Sequence, residues 1–257
     1  MGIMLFNGCS HTAGSEIEYE HQPACYEKSW GKFLSNMTGN EYINIARGGS
    51  SNEYIFRTTQ DWIIENVLIN KLYKIEDLHV IVMWSGFDRK ELYIPDINFV
   101  DNINPMTDPK LIPTSMKNEL GNFKDTIVYF HDILHSNLKN LICVNNLSIF
   151  LDTFKIKYTF LNALHSFLSL EDLDKNNILR PSYINNFWLY DDTKKIKHIG
   201  FNNSDDTFFY HLTNKTNFKW SIHSKKGHFG EDAHKYWAKR VYEIINKEPK
   251  KKTIKMI

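Results

Sequence analysis

The sequence predicts an α/β fold: a central parallel sheet with helices on both faces, a three-layer α/β/α sandwich. Three observations predict it. Apolar runs of strand length alternate with segments of helical period, the pattern that builds parallel sheets. The run LHVIVMW (Leu78–Trp84) is almost unbroken in hydrophobicity, as expected of a central strand covered on both faces. Polar clusters follow three of the apolar runs: NGCSHTAG (7–14), ARGGSSN (46–52) and SGFDR (85–89). Those are the strand ends at which open α/β sheets bind ligands.

Each element can be justified in order. IMLFN (Ile3–Asn7) is a short buried strand ended by Asn7-Gly8. YEKSWGKFLSNM places Trp30, Phe33 and Leu34 at helical spacing, and EYINIA (Glu41–Ala46) is the second strand. It stops where Gly48-Gly49 turn the chain and Ser50-x-x-Glu53 fits a capping box. The next helix carries Tyr54, Ile55, Thr58, Trp62, Ile63 and Val67 along one face. After the third strand, residues 91–122 are rich in Asn, Pro and Asp and read as an irregular excursion. A long helix is expected over 126–154, then a strand at IKYTFLNA (Ile156–Ala163). Residues 166–222 are polar and aromatic without a period, too long for a plain connection, and read as a cap or insertion. The closing helix shows Ala233, Trp237, Val241, Ile244 and Ile245 on one face. No repeat or linker divides the chain, so one domain is expected over residues 1–257.

Composition excludes several classes. A chain of 257 residues with 42% hydrophobic and 14% aromatic residues can build one sizeable core. A formal net charge of +1 supplies no field toward nucleic acid or an anionic membrane, and the basic stretch KEPKKKTIK reads as a solvated terminus. The cysteines Cys9, Cys25 and Cys143 are odd in number and lack C-x-x-C spacing, which argues for a reducing compartment and against a disulfide framework or zinc site. IMLF is too short for a signal peptide and no run reaches membrane-span length, so a cytoplasmic protein is expected. High Asn, Lys and Ile usage suits an AT-rich genome, microbial or viral.

The chemistry concentrates at Ser10. Acyl transfer needs a nucleophile, a base and donors aimed at the developing oxyanion. Ser10 lies just past the first strand, flanked by Gly8, Thr12 and Gly14, and a helix starting there would aim free N–H groups at the same spot. Serine is also a common N-cap, which is the competing reading of this position.

The wider pattern resembles the SGNH, or GDSL, hydrolases. GCSHTAG is similar to their Gly-Asp-Ser-x-Thr-x-Gly block, with Cys9 in place of Asp. NIARGGSSN resembles the second block and makes Gly49 the oxyanion glycine, with Gly48 as the alternative. SGFDR stands where the third block, Gly-x-Asn-Asp, belongs, and puts Asp88 at the oxyanion asparagine. GHFGEDAHKYWA is similar in rhythm to the fourth block, which makes His228 the base and sets His234 inside the closing helix. The resemblance implies a flavodoxin-like strand order and a cofactor-free Ser–His esterase acting on a small-molecule or carbohydrate ester. His11, Trp84 and Arg89 adjoin these blocks and are the candidate substrate contacts.

Two departures need an account. Lys225 stands where the family places Asp, three residues before its histidine, and Asp205, Asp206, Glu231 or a backbone carbonyl could orient His228 instead. An ionised Asp88 would repel an oxyanion. Either burial keeps it protonated, or it pairs with Arg89 or Arg47 and leaves the Ser10 and Gly49 amides as donors, or it pairs with His228 or a substrate cation. These departures motivate a different class of reading, a non-catalytic binding module on the same fold. Acyl transfer to an acceptor other than water is the nearest enzymatic alternative.

Other readings carry less. Cys9 at a strand end is packing rather than a thiol nucleophile served by His11 or His228. The spacings of five and six between His223, His228 and His234 put them on different helical faces, so no metal is expected. RGGSSNE lacks a Walker pattern. The aromatics Tyr183, Phe187, Trp188, Tyr190, Phe208, Phe209, Tyr210 and Trp220 read as the core of the insertion, or else as a pocket for sugars or acyl chains.

Overall fold

The structure, a computed structural model, describes residues 2–86, 89, 91–93, 111–113, 133–164, 198–199, 204–224 and 227–246. Its main sheet has strands β1 (Ile3–Gly8), β2 (Glu41–Asn44), β3 (Leu78–Trp84), β6 (Lys157–Asn162) and β7 (His198–Ile199), in the order β2-β1-β3-β6-β7. Every pairing in it is parallel. With sheet strands counted in sequence this is the flavodoxin-like 2-1-3-4-5 order, whose switch point lies between β1 and β3. Within the expected excursion the structure has an ordered feature, an antiparallel pair of β4 (Glu91–Tyr93) and β5 (Leu111–Pro113) with Leu92 opposite Ile112.

The helices are α1 (Ser10–Ala13), α2 (Trp30–Thr38), α3 (Asn52–Ile63, continued as a π-turn over Ile64–Ile69), α4 (Ile133–Thr153), α5 (Phe208–Asn214) and α6 (Glu231–Asn246). The period of two along the strands sorts the core into two layers. Ile3 and Leu5 of β1 and Val80, Val82 and Trp84 of β3 meet Ile55 and Ile63 of α3 and Val144, Leu147 and Leu151 of α4. The alternate residues Met4, Phe6, Ile81 and Met83 meet Trp30 and Leu34 of α2, Phe208 of α5, and Trp237 and Val241 of α6. All seven residues of β3 are buried, which accounts for its unbroken apolar run.

One expectation is revised, and the described parts of the expected insertion can be placed. The cap of α3 is Ser51, whose hydroxyl accepts the Tyr54 N–H at 3.2 Å, while Ser50 Oγ donates to the Arg47 carbonyl at 2.9 Å. The capping box is thus one residue out of register. The described parts of 166–222 belong to the main core, since β7 extends the sheet and Phe208 and Leu212 of α5 are wholly buried in it. Tyr183, Phe187, Trp188 and Tyr190 lie outside the described residues, as does the helix expected over 126–132.

Candidate active site

The end of β1 is held from both sides. Asn7, wholly buried, donates to the Ile55 carbonyl (3.1 Å) and to the Thr58 and Thr59 hydroxyls (both 2.9 Å), and its Oδ1 accepts the Gly8 N–H at 2.8 Å. A Cβ at Gly8 would lie 2.4 Å from Thr12 Oγ1 and 2.8 Å from the Met83 carbonyl, so only glycine lets α1 fold back onto β1 and β3. Cys9 occupies the N-cap position, and its carbonyl accepts the Thr12 and Ala13 N–H groups at 2.9 and 3.0 Å. Ser10 is the first residue inside the helix. It is 6% exposed, and its hydroxyl makes no hydrogen bond among the described residues. The N-cap reading of Ser10 is therefore set aside, because the capping position belongs to the residue before it.

Gly14 closes α1 in the left-handed conformation (φ 73°), and the chain doubles back so that Glu16 N–H donates to the Gln22 carbonyl at 3.1 Å. Glu16 itself has φ 56°, a left-handed conformation that costs a non-glycine residue about 1–3 kcal/mol. Its carboxylate points to the loop before α6. Glu16 Oε2 lies 2.8 Å from His228 Nδ1 and accepts the Ser224 hydroxyl at 2.6 Å. Ser224 Oγ in turn accepts the His228 backbone N–H at 3.0 Å, so one hydroxyl braces both partners. The loop is closed by an antiparallel bridge between Trp220 and Phe229 and by the Ser221 N–H on the His228 carbonyl at 2.7 Å.

Glu16 is 8% exposed, and burial alone would raise its pKa. The hydrogen bonds from Ser224 and His228 outweigh burial and hold it below the ordinary carboxylate range. Glu16 is thus a carboxylate, and the histidine Nδ1 donates to it. Nε2 has no hydrogen-bond partner among the described residues, and neither Ser10 nor His228 bonds the other.

The carboxylates considered from sequence are engaged elsewhere: Asp205 with Lys215 (2.8 Å), Asp206 with Arg240 (2.6 Å), Glu231 with Lys235 (2.7 Å) and Lys28 (3.5 Å). Sequence reasoning missed Glu16. The signal available was modest: it is the first acidic residue of the chain, two places past the glycine that reverses α1.

The remaining candidates sort as follows. His11 is 5% exposed, with its ring 5.2 Å from that of His228 and 5.1 Å from Phe208, and its Nδ1 is buried without a partner. Burial first, then the neighbouring charges of His228, Arg89 and His234, push its pKa well down, so it stays neutral. Gly48 lies against Ser10, with a Cβ built on it 3.9 Å from Ser10 Cβ, while Gly49 takes φ 81° at the turn. Trp84 is wholly buried and packs edge-on to Phe160 at 5.4 Å, which places it in the core rather than on a pocket wall. Asn52 ties the second loop to the third, accepting the Ser85 N–H at 2.7 Å and donating to the Ser85 carbonyl at 3.3 Å. Arg89 is half-buried, and Asp88 and Lys225 lie outside the described residues. Cys9 is fully buried in the core. His234 Nδ1 accepts the Trp30 N–H at 3.1 Å and so seats α6 on α2. Among the described residues no three His, Cys, Asp or Glu side chains converge as a metal site, and no helix is long and apolar enough to cross a membrane.

A family model described as a family of unknown function, DUF6071, matches residues 17–180, more than half of the chain. The chain belongs to this family. The DUF6071 match begins one residue after Glu16 and ends before the loop that carries His228, so Ser10, Glu16 and His228 all lie outside it. No curated protein matches this DUF6071 chain in sequence. Among solved structures it is similar to TesA, at 10% identity and a TM-score of 0.50, over 95% of this chain and 98% of that one. It is also similar to the psychrotrophic esterase EstA from Pseudoalteromonas sp. (12% identity, TM-score 0.49, 95% and 97% covered). The acetyl xylan esterase Est2A from the rumen bacterium Butyrivibrio proteoclasticus gives 13% identity and a TM-score of 0.48, over 95% of this chain and 63% of that one. At these identities the likeness to TesA speaks for the fold, a three-layer α/β/α sandwich, and for nothing finer.

Proposed function

We propose that the protein is a serine esterase of the SGNH type, hydrolysing a small-molecule or carbohydrate ester with Ser10 as nucleophile, His228 as base and Glu16 as the acid that orients it. The observation that carries this reading is the 2.8 Å bond between Glu16 and His228 Nδ1, held in strained backbone beside a strand-end serine whose hydroxyl caps nothing. The pair does what a triad acid must do. It fixes the imidazole tautomer with Nε2 as base and stabilises the imidazolium that forms when Ser10 gives up its proton.

Ser10 Oγ would then attack the ester carbonyl while Nε2 takes its proton. Nε2 returns that proton to the departing alkoxide, leaving an acyl-serine. A water, deprotonated by the same nitrogen, releases the acid and restores Ser10. The Ser10 N–H sits at the first position of α1, where the helix itself has no use for it, and the loop Arg47–Gly49 supplies the second oxyanion donor, with Gly48 nearest. Contact between Ser10 and Nε2 is left to form with substrate, as such contacts often tighten only in the Michaelis complex.

Hydrolysis of 4-nitrophenyl acetate and labelling by a fluorophosphonate test the reading. Ser10→Ala and His228→Ala should abolish both, and Glu16→Gln should lower kcat by about 10⁴-fold, as loss of a triad acid does elsewhere. A parent protein that neither labels nor turns over ester would overturn the reading and leave a binding module on the same fold.

A further inference from the structure

We propose that this site, if it is the esterase site argued above, selects esters that carry a negative charge close to the scissile bond, and that Arg89 holds that charge. Gly8 is in register with Met83 on the neighbouring strand. Ser10 follows β1 and Ser85 follows β3, so Ser85 and Gly86 belong to the rim at the same end of the sheet as Ser10. Arg89 turns back on this rim, its N–H on the Gly86 carbonyl at 3.4 Å.

The guanidinium is only half withdrawn from water, but its Nη1 is fully buried and has no hydrogen-bond partner. Arg57 and Arg240 also bury an unpartnered Nε, but what sets Arg89 apart is that no carboxylate or aromatic ring meets its guanidinium among the described residues. Arg240 pairs with Asp206 at 2.6 Å, Arg57 with Asp61 at 3.5 Å, and Arg47 lies over the Tyr54 ring at 5.8 Å. No ion pair to Arg89 exists among the described residues, and the Glu16 carboxylate is committed to His228 and Ser224. Ser85 Oγ, on the same rim, is a second buried group without a partner.

Buried donors are almost always satisfied, and the exceptions call for a ligand or water. A buried cationic donor calls for an anion, and the planar fork of arginine fits a carboxylate or phosphate through two hydrogen bonds. Arg89 stands within electrostatic reach of His11. Its charge is among those that keep His11 neutral, and the His11 ring stands 5.2 Å from that of His228. His11, being neutral, neither repels such an anion nor competes to bind it. A plain acetyl ester would leave Arg89 unpaired, whereas a carboxylate or phosphate a few bonds from the carbonyl would complete the rim.

The test uses matched ester pairs. Mono-4-nitrophenyl succinate against 4-nitrophenyl butyrate puts the charge on the acyl side, and 4-acetoxybenzoate against its methyl ester puts it on the alcohol side. The parent protein should prefer the anionic member of one pair by about 10- to 100-fold in kcat/KM, the scale of a charge-assisted hydrogen bond. Which pair shows the preference identifies the side that Arg89 serves. Arg89→Gln should bring that ratio close to one, and Arg89→Lys should restore part of it. Turnover of all four esters with no preference, or a ratio unchanged in Arg89→Gln, overturns the inference while the esterase reading stands. If nothing is turned over, calorimetric titration with monomethyl succinate separates the two ideas. Binding that is lost in Arg89→Gln upholds the anion site without the esterase, and no binding ends both.

Discussion

The two faces of the sheet are built on different principles. Beneath α3 and α4 the core is mainly aliphatic, with Val80, Val82, Leu147 and Leu151 filling space and asking for no polar partner. Beneath α2, α5 and α6 it is aromatic and holds histidine: Phe208 touches His11 at 5.1 Å, Phe229 at 5.7 Å, His234 at 5.5 Å and Trp237 at 5.4 Å, centroid to centroid. The first face packs the sheet and, through α3, holds Asn7 at the end of β1. The second seats α6 and the loop of His228 before it, and keeps the His11 and His234 imidazoles in the dry interior, where the charged form is penalised. The difference teaches that the site proposed above is coupled more closely to the packing of the second face than to that of the first.

Acid should expose the coupling most strongly. Burial first, and then the charge of His228, lowers His234 to a pKa of about 3, against an ordinary value near 6.5. The unfolded chain therefore binds a proton that the folded one refuses, so this stability is complete above about pH 6.5 and is lost as pH falls toward 3. The accumulated loss is about 5 kcal/mol for this one group. His11 and His211, both lowered chiefly by burial, act with the same sign. Urea midpoints measured from pH 7 to pH 4 should fall steeply in the parent and more gently in His234→Gln. Parallel curves for the two would show that His234 is not the origin.

The contrast bears on what the sequence could reveal. Strands β1, β3 and β6 were legible because each is an apolar run with a polar end, and the strand order followed from the family resemblance. Ser10 and His228 stood out as positions in blocks, and the proposed esterase rests on them. Glu16 did not, because its role depends on a left-handed turn and on a contact with a residue more than two hundred positions away, and neither leaves a local pattern. Trp84 misled for a related reason. A tryptophan at a strand end reads as a pocket wall, yet the alternation along β3 had already assigned its side chain to the aliphatic face. Local pattern decides which elements form and which way they face; it does not decide which loops meet.

Paired core substitutions sharpen the comparison between faces. Leu147→Ala on α4 and Phe208→Leu on α5 both remove wholly buried groups. The first should cost about 2–5 kcal/mol and leave kcat/KM per folded molecule unchanged. The second should cost less, about 1–2 kcal/mol for a smaller change in volume, yet lower kcat/KM several-fold because the ring that packs against His11, next to Ser10, is gone. Denaturant melts together with ester turnover check both. Equal effects on turnover would mean that the faces are not distinct in function.

The smallest expected effect lies in the backbone. Glu16 and Lys155 both hold left-handed φ, at 56° and 57°, but for different ends. Lys155 ends the turn that follows α4, where the Ile156 N–H reaches back to the Leu151 carbonyl at 2.9 Å. Glycine there should raise stability by about 0.5–1 kcal/mol, the relief of a left-handed side chain less the extra freedom glycine gives the unfolded chain, and turnover should not change. At Glu16 the same strain aims a carboxylate at His228. Glu16→Gly should therefore be about 0.5–1 kcal/mol more stable than Glu16→Gln, since both lose the ion pair and only glycine relaxes the turn, while both lose activity alike. Equal melting temperatures for the two Glu16 variants would mean that the turn is unstrained and that Glu16 holds its place by the hydrogen bonds to Ser224 and His228 alone.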